Sequence, residues 1–271
     1  MKLNPDLRSR VPVGILYVLV IGGACLYGRL TTLLLLLVFF LFCLYEFIHV
    51  TAKTGSSKIY LLGGGIGAAA FVNSSLLPAE FPLLLLSLIA VTIILLGTFY
   101  LIAQKQSIIA KTPIALSTIG YIIIPFVLTF IFINTEASSN LIILGTFIIL
   151  WLNDAGAYFV GKAIGKRKLF ESVSPNKSWE GCIGGGVVGI LISIAVSYLI
   201  GGYEMYSWLV LSLIVWIAGT YGDLFESSWK RSLGIKDSGS LMMGHGGFLD
   251  RLDSFIFAMP FVILYHYLFI S

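Results

Sequence analysis

The sequence predicts an all-α, polytopic membrane protein of about nine transmembrane helices, with the N-terminus cytosolic and the C-terminus outside. Three observations carry this. Of 271 residues, 58% are hydrophobic and only 11% charged, where a soluble domain carries about 25% charge. Apolar stretches close to the roughly 20 residues that one bilayer crossing needs recur along the whole chain. The basic residues gather in alternate connections, as the positive-inside rule requires.

The first span, Val11–Tyr27, follows Lys2, Arg8 and Arg10. That start looks like a signal-peptide n-region, but many spans follow and no small-residue cleavage site stands out. An uncleaved helix is therefore expected. Leu30–Val50, Ile59–Leu77, Phe81–Ala103 and Pro113–Ile133 complete a group of five spans within residues 1–140. Leu141–Gly161, Cys182–Ile200, Tyr206–Gly222 and Phe255–Ile270 form a second group within 141–271. Most links are short and carry Gly, Pro, Asn or Ser. Two are long, 162–181 and 223–254. With the N-terminus inside, sixteen of the 17 Lys and Arg fall on inner segments and Arg29 alone falls outside. A miscounted span would mix basic and non-basic loops, so this split supports the count as well as the orientation. Both long loops then face the cytosol.

The cysteines carry no chemistry. Cys25 and Cys43 fall inside apolar runs, Cys182 starts one, and no C-x-x-C spacing occurs. A disulfide or a zinc site is not expected. Gly63 and Gly67, then Gly181, Gly185 and Gly189, recur at intervals that let membrane helices approach closely. The Gly184-Gly185-Gly186 run lacks the Lys-Ser/Thr of a phosphate loop and no strand precedes it, so it reads as helix packing.

Polar chemistry concentrates in three places. Asp154 lies in the sixth span, eight residues and so about 12 Å before Lys162 along a helix. A carboxylate at that depth is expensive and marks a functional site by default. The competing reading is a structural hydrogen bond, with Asn153 and Tyr158 as partners. The second place is 165–181. Lys166, Arg167 and Lys168 answer the positive-inside rule or attract anionic head groups. In Ser174-Pro175-Asn176-Lys177-Ser178-Trp179-Glu180-Gly181, Asn176 or Ser178 can cap the following helix, and a helix start beside Lys177 is a natural anion site.

The third place, 222–254, is the richest. Asp223 and Glu226 are three apart, as are Asp250 and Asp253, so each pair would share a face on a helix. Asp223 ends the eighth span and Asp250 precedes the ninth, so neighbouring helices would bring their carboxylates together at the inner surface. Clustered oxygens with open positions suit Mg²⁺. The neighbouring Lys230, Arg231, Lys236 and Arg251 suit a polyphosphate. Gly244, Gly246 and Gly247 permit a tight turn and close backbone approach to a ligand. His245 between them reads equally as a base, a phosphate donor or a turn-fixing group. The competing reading for the whole block is a solvated loop whose nearly balanced charges pair with each other.

Ser227-x-x-Lys230-Arg231, Lys236-Asp237-x-Gly239 and His245-Gly246-Gly247-x-x-Asp250-Arg251-x-Asp253 resemble the signature of CDP-diacylglycerol synthases, also called phosphatidate cytidylyltransferases. Asp154-x-Gly156-Ala157-Tyr158, Gly161-Lys162, Ser174-Pro175, Lys177-x-Trp179-x-Gly181 and Gly222-Asp223-x-x-Glu226-Ser227 are similar to that family too. The resemblance is sharp over residues 151–254; over the first 140 it is one of span pattern only. Trp229 stands where the signature usually has an aliphatic residue or Phe, and Met243 where Pro is common.

The resemblance implies the reaction of CTP with phosphatidate to give CDP-diacylglycerol and pyrophosphate. It implies a multi-pass protein of the cytoplasmic (inner) membrane, with CTP, phosphatidate and the bilayer as partners and no nucleic acid. It also suggests a homodimer, although the Gly-x-x-x-Gly faces serve equally well within one chain. On this reading Asp223 and Asp250 are the main ligands of Mg²⁺, with Glu226 and Asp253 assisting and a second cation, divalent or K⁺, beside it. Lys230, Arg231, Lys236, His245 and Arg251 are expected to act on the reacting phosphates. Asp154, Lys177, Ser178, Gly246 and Gly247 are expected to contact substrate. A transporter would instead place ionisable residues near the midplane on broken helices. An inert scaffold would need none, and a head-group transferase or kinase of another family would share the same physics.

Overall fold

The computed structural model describes residues 5–51, 118–239, 241–242 and 246–270, with side chains from Pro12 onward. The expected spans Ile59–Leu77 and Phe81–Ala103, the start of Pro113–Ile133, Gly63, Gly67, Met243, Gly244 and His245 lie outside the described residues.

Helices α1 (Pro5–Tyr27) and α2 (Arg29–Thr51) form an antiparallel pair joined at Gly28. That glycine sits at φ +148, a conformation that L side chains rarely adopt. Thr31 donates from its hydroxyl to the Ala24 and Gly28 carbonyls at 2.6 and 2.8 Å, closing the corner. Asn140 of a later helix donates to the Cys25 carbonyl at 2.8 Å and pins the corner to the rest of the bundle. A π-helical turn, Ile119–Ile123, leads into α3 (Ile124–Thr135). Four further helices follow: α4 (Ser139–Ile164), α5 (Trp179–Leu199), α6 (Met205–Ser232) and α7 (Leu249–Phe269). Between α4 and α5 lies an antiparallel hairpin, β1 (Lys168–Phe170) and β2 (Ser174–Ser178).

Among the described residues, five helices (α2, α4, α5, α6 and α7) are long and apolar enough to cross a membrane, and Pro12–Tyr27 and Ile119–Thr135 are shorter apolar helices. The fold is therefore helical and membrane-spanning, with one departure from all-α in the hairpin. The expected loop boundaries need correction. α6 does not stop at Gly222 but continues to Ser232, and α7 begins at Leu249 rather than Phe255. The long loop expected over 223–254 shrinks to 233–248. Asp223, Glu226, Lys230, Arg231, Asp250, Arg251 and Asp253 therefore stand on helices. Backbone hydrogen bonding carries these helices past the point where their side chains turn polar.

Small residues set how closely the helices approach. A Cβ at Gly156 of α4 would come within 2.9 Å of the Val188 side chain on α5. One at Gly185 would meet the Asn153 carbonyl at 2.6 Å, and one at Gly181 the Ala157 carbonyl at 2.8 Å. Gly184 and Gly185 face α4, while Gly186 receives the Trp216 ring of α6. The triple glycine thus serves packing on two neighbours, as its sequence context predicted. Gly222 performs the same task between α6 and α7, where a Cβ would lie 2.6 Å from the Phe257 Cβ. This close approach is what sets Asp223 of α6 beside Asp253 of α7. Trp229, the departure from the family pattern, is fully buried and stacks on Phe47 of α2 at 4.7 Å. Helix α7 is the most enclosed of the five spans and α5 the least.

Candidate active site

The helix ends near the hairpin enclose two adjoining cavities. The first, of about 390 Å³, is walled by Tyr17 of α1, Trp151 and Asp154 of α4, Asp223, Glu226 and Lys230 of α6, and Asp250, Arg251 and Asp253 of α7. The second, of about 490 Å³, lies between α4, the hairpin, α5 and α6, and is lined by Asp154, Lys162, Asn176, Lys177 and Asp223 among others. Asp154 and Asp223 belong to both walls.

Lys230 is the charge centre of the first cavity. Its Nζ donates to Asp250 Oδ1 at 2.5 Å and to Glu226 Oε2, one helical turn back, at 2.8 Å. Asp250 sits in the first turn of α7, where a helix start favours a carboxylate. Its Oδ2 accepts from the Gly247 N–H at 2.7 Å and the Ser238 N–H at 3.0 Å. Gly246, at φ +82, leaves no room for a side chain beside the same carboxylate, since a Cβ would lie 2.6 Å from Asp250 Oδ2. Asp253 is buried, and its Oδ1 accepts from the Ser254 N–H at 2.6 Å. The Ser254 hydroxyl donates to the Gly219 carbonyl at 3.0 Å, locking α7 onto α6.

The second centre is an ion pair between Lys177 of β2 and Asp223 of α6. The Ser227 hydroxyl donates to Asp223 Oδ1 at 3.2 Å. Burial lowers the Lys177 ammonium, but the Asp223 carboxylate outweighs this and holds it above its ordinary value. Lys177 is therefore a permanent cation at neutral pH. The hairpin that carries it is clamped to α5, because the Glu180 carboxylate accepts from the Lys166 N–H at 3.0 Å and the Arg167 N–H at 3.1 Å. Lys168 donates to the Pro175 carbonyl at 2.6 Å across the hairpin. Ser178 caps α5, its Oγ accepting from the Gly181 N–H at 3.1 Å.

The structure thus brings together Asp154, Lys177, Asp223, Glu226, Lys230, Asp250, Arg251 and Asp253. It leaves Arg231 and Lys236 exposed outside the two cavities; Arg231 donates to the Ile235 carbonyl at 3.2 Å and closes the end of α6. Gly247 turns its amide to Asp250, Gly246 packs against the same carboxylate, and Ser178 binds its own helix. The two glycines build the site rather than lining it, whereas Ser178 also lines the second cavity. Two residues escaped the sequence reading. Tyr17 lines the first cavity from α1, where nothing in an apolar span singles it out. Glu46 is a lone carboxylate inside the second span, and the depth rule applied to Asp154 would have found it.

The acidic groups suit a hard cation without forming a ready-made cage. Five carboxylates line the first cavity against Lys230 and Arg251, and among the described residues the buried Glu226 Oε1 has no hydrogen-bond partner. Among the described residues no group of three or more His, Cys, Asp or Glu is arranged to hold a metal. Mg²⁺ does not require one, since it takes one or two carboxylates with water and substrate phosphates.

A family model for the cytidylyltransferase family matches residues 8–269. The chain belongs to that family. Its curated relatives include proteins named phosphatidate cytidylyltransferase. That of Staphylococcus aureus (strain COL) is 39% identical over 176 residues, covering 64% of this chain and 66% of the relative. That of Staphylococcus haemolyticus (strain JCSC1435) is 38% identical over the same shares. That of Staphylococcus epidermidis (strain ATCC 35984) is 37% identical over 175 residues, 64% of this chain and 65% of the relative. The match spans just under two thirds of these relatives' length. This membership agrees with the signature read over 151–254, and several residues of that signature, among them Lys230, Asp250, Arg251 and Asp253, line the first cavity.

Proposed function

We propose that this protein is a phosphatidate cytidylyltransferase of phospholipid biosynthesis, converting CTP and phosphatidate into CDP-diacylglycerol and pyrophosphate at the cytosolic face of the membrane. The observation that carries the reading is the shared wall of the two cavities. Carboxylates and lysines converge there at the ends of membrane-spanning helices, where a lipid phosphate and a soluble nucleotide can meet. The names of the relatives support the same substrates.

In this reaction a phosphate oxygen of phosphatidate attacks the α-phosphorus of CTP, the bond to the β-phosphate breaks, and pyrophosphate leaves. The attacking phosphate is already ionised near neutral pH and needs little help from a base. Both reactants are anions, so positioning and charge neutralisation supply most of the rate. Lys177, Lys230 and Arg251 are the cations that would hold the phosphates in this reading. Asp223 and Asp250 would hold Mg²⁺, with Glu226 and Asp253 beside them. When bound, the ion neutralises phosphate charge that two or three bases leave uncompensated. Asp154, on both walls, would hold the two substrates' pockets in register.

The test uses CTP labelled at the α-phosphate, phosphatidate vesicles and purified protein. The CMP moiety should enter the lipid fraction with Mg²⁺, stop with EDTA and return on adding Mg²⁺. Label transfer from the γ-phosphate instead would identify a lipid kinase, and no transfer from either would reject the reading. For the membrane face, cysteines introduced within 165–177 or 232–239 should resist labelling from outside the cell.

A further inference from the structure

Glu46 stands on α2, far in sequence from the α6 and α7 residues of the first cavity, yet its carboxylate is sealed against the start of α7. It is 2% exposed. Oε2 accepts from the Leu249 N–H at 2.9 Å and from the Ser238 hydroxyl at 3.2 Å. Leu249 is the first residue of α7, and Phe248 before it offers no side-chain cap. A helix start leaves such amides without an internal partner. Here the partner comes from another helix, 203 residues away. Gly239 and Gly247 close on the same carboxylate so tightly that a Cβ at either would collide with it.

Of the residues that Glu46 holds, Ser238 also holds Asp250 and Leu249 directly precedes it. The Ser238 N–H donates to both Asp250 oxygens, at 3.2 and 3.0 Å, and the Gly247 N–H to Oδ2 at 2.7 Å. We propose that Glu46 is a positioning residue: it ties Ser238 and the start of α7 to α2 and so fixes the amide clamp that aims Asp250 into the first cavity. The effect on turnover rests on the cytidylyltransferase reading above; the effect on the loop does not. Packing alone does not account for the residue, because a carboxylate in a membrane helix is costly and an apolar side chain would fill the space at less expense. The requirement is for an acceptor. Among the described residues only Oε2 is engaged, and Oε1 has no hydrogen-bond partner. A glutamine can present the same acceptor oxygen to both donors.

Wild type, Glu46→Ala and Glu46→Gln are compared in detergent by hydrogen exchange over 238–252 and by CMP transfer to lipid. Glu46→Ala should speed exchange of that segment at least about tenfold, the loss of one hydrogen bond to a charged group. It should lower kcat about 10- to 100-fold, as misplacement by about 1 Å does, with the KM for CTP within about threefold. Glu46→Gln should restore both readouts to within about threefold of wild type, since it keeps the acceptor. Should Glu46→Ala fail to fold, Ser238→Ala removes one of the two bonds while keeping the amide on Asp250, and should show the same changes at smaller size. Unchanged exchange in the alanine variants, or a glutamine variant as impaired as alanine, would overturn the proposal. A wild type that transfers no CMP would reject the reaction reading alone, leaving exchange to decide the role of Glu46.

Discussion

Helix α7 ends in buried polar clusters of opposite kinds, about 24 Å apart by helical rise over sixteen residues. At the Asp250 end, five carboxylates face two bases across a cavity, and one Glu226 oxygen has no hydrogen-bond partner among the described residues. At the other end, His266 Nδ1 lies 2.8 Å from the Tyr203 hydroxyl and Nε2 lies 3.3 Å from Glu136 Oε2. A neutral imidazole completes this chain, with Nε2–H donating to the carboxylate and Nδ1 accepting from the phenol. Glu136 Oε1 takes the Ser138 amide and hydroxyl at 3.1 and 2.8 Å. Phe132 packs edge-on to the imidazole at 5.2 Å and neither cavity reaches it. The second cluster joins three segments and is complete as it stands. The first has surplus charge, open space and unmet acceptors. Satisfied buried networks fix a fold, while unsatisfied ones facing a cavity are available to a ligand.

The sharpest way to break this contrast is Asp250→Asn. It removes a charge that, on the proposed reading, holds the cation at the reacting phosphates, so turnover should fall at least about 10²-fold. The detergent melting temperature should fall as well, since the asparagine NH2 must face a donor that the carboxylate now satisfies, so turnover is compared per folded molecule. Near-normal, EDTA-resistant turnover would show that the surplus charge serves no cation. Asp154→Asn comes next, with turnover expected to drop about tenfold while melting changes little, because the group faces cavity rather than partner. If expression, melting and activity fall in proportion, Asp154 belongs with the structural cluster instead.

At the far end the order of effects should reverse. His266→Ala removes two hydrogen bonds and should cost about 1–3 kcal/mol of stability, with turnover per folded molecule within about twofold of wild type. A selective loss of kcat would erase the distinction between the two ends. The smallest effect concerns pH. Burial raises the Glu136 carboxyl, but the Ser138 amide and hydroxyl outweigh it and hold the group below its ordinary 4.5. A depressed carboxylate stabilises the fold above its unfolded pKa and loses that contribution as the pH falls through the folded one. Glu136→Gln should therefore melt lower than wild type at pH 7. The two curves should converge as the pH drops below 4.5, and parallel curves throughout would exclude the ionised form from the clasp.

Hydropathy located five spans but stopped α6 ten residues early, at Gly222, and started α7 six residues late. It reads which side chains meet lipid, whereas a helix persists wherever backbone bonds do. The polar ends of α6 and α7 face a cavity and each other, so they read as loop. The paired spacing of Asp223 with Glu226 and of Asp250 with Asp253 remained legible, because helical periodicity does not depend on polarity. Arg231 and Lys236 were indistinguishable from Lys230 in the sequence, since which base enters the cavity depends on where α6 ends and the loop turns away.

The sequence by itself determined that the chain is a membrane bundle, that Gly184–Gly186 serve packing, that a helix starts at Asn176 or Ser178, and which stretches concentrate the polar residues. Each of these follows from composition or from spacing along one element. Only the tertiary structure decided that Lys230 bridges Asp250 and Glu226, that Lys177 reaches from a hairpin to Asp223, and that Glu46 of α2 caps α7. Those contacts join residues that are distant in the chain or lie on different elements. Gly222 and the α4–α5 glycines let those helices approach within van der Waals contact, and Gly239 and Gly247 leave room for the Glu46 carboxylate, a consequence of packing that no single segment encodes.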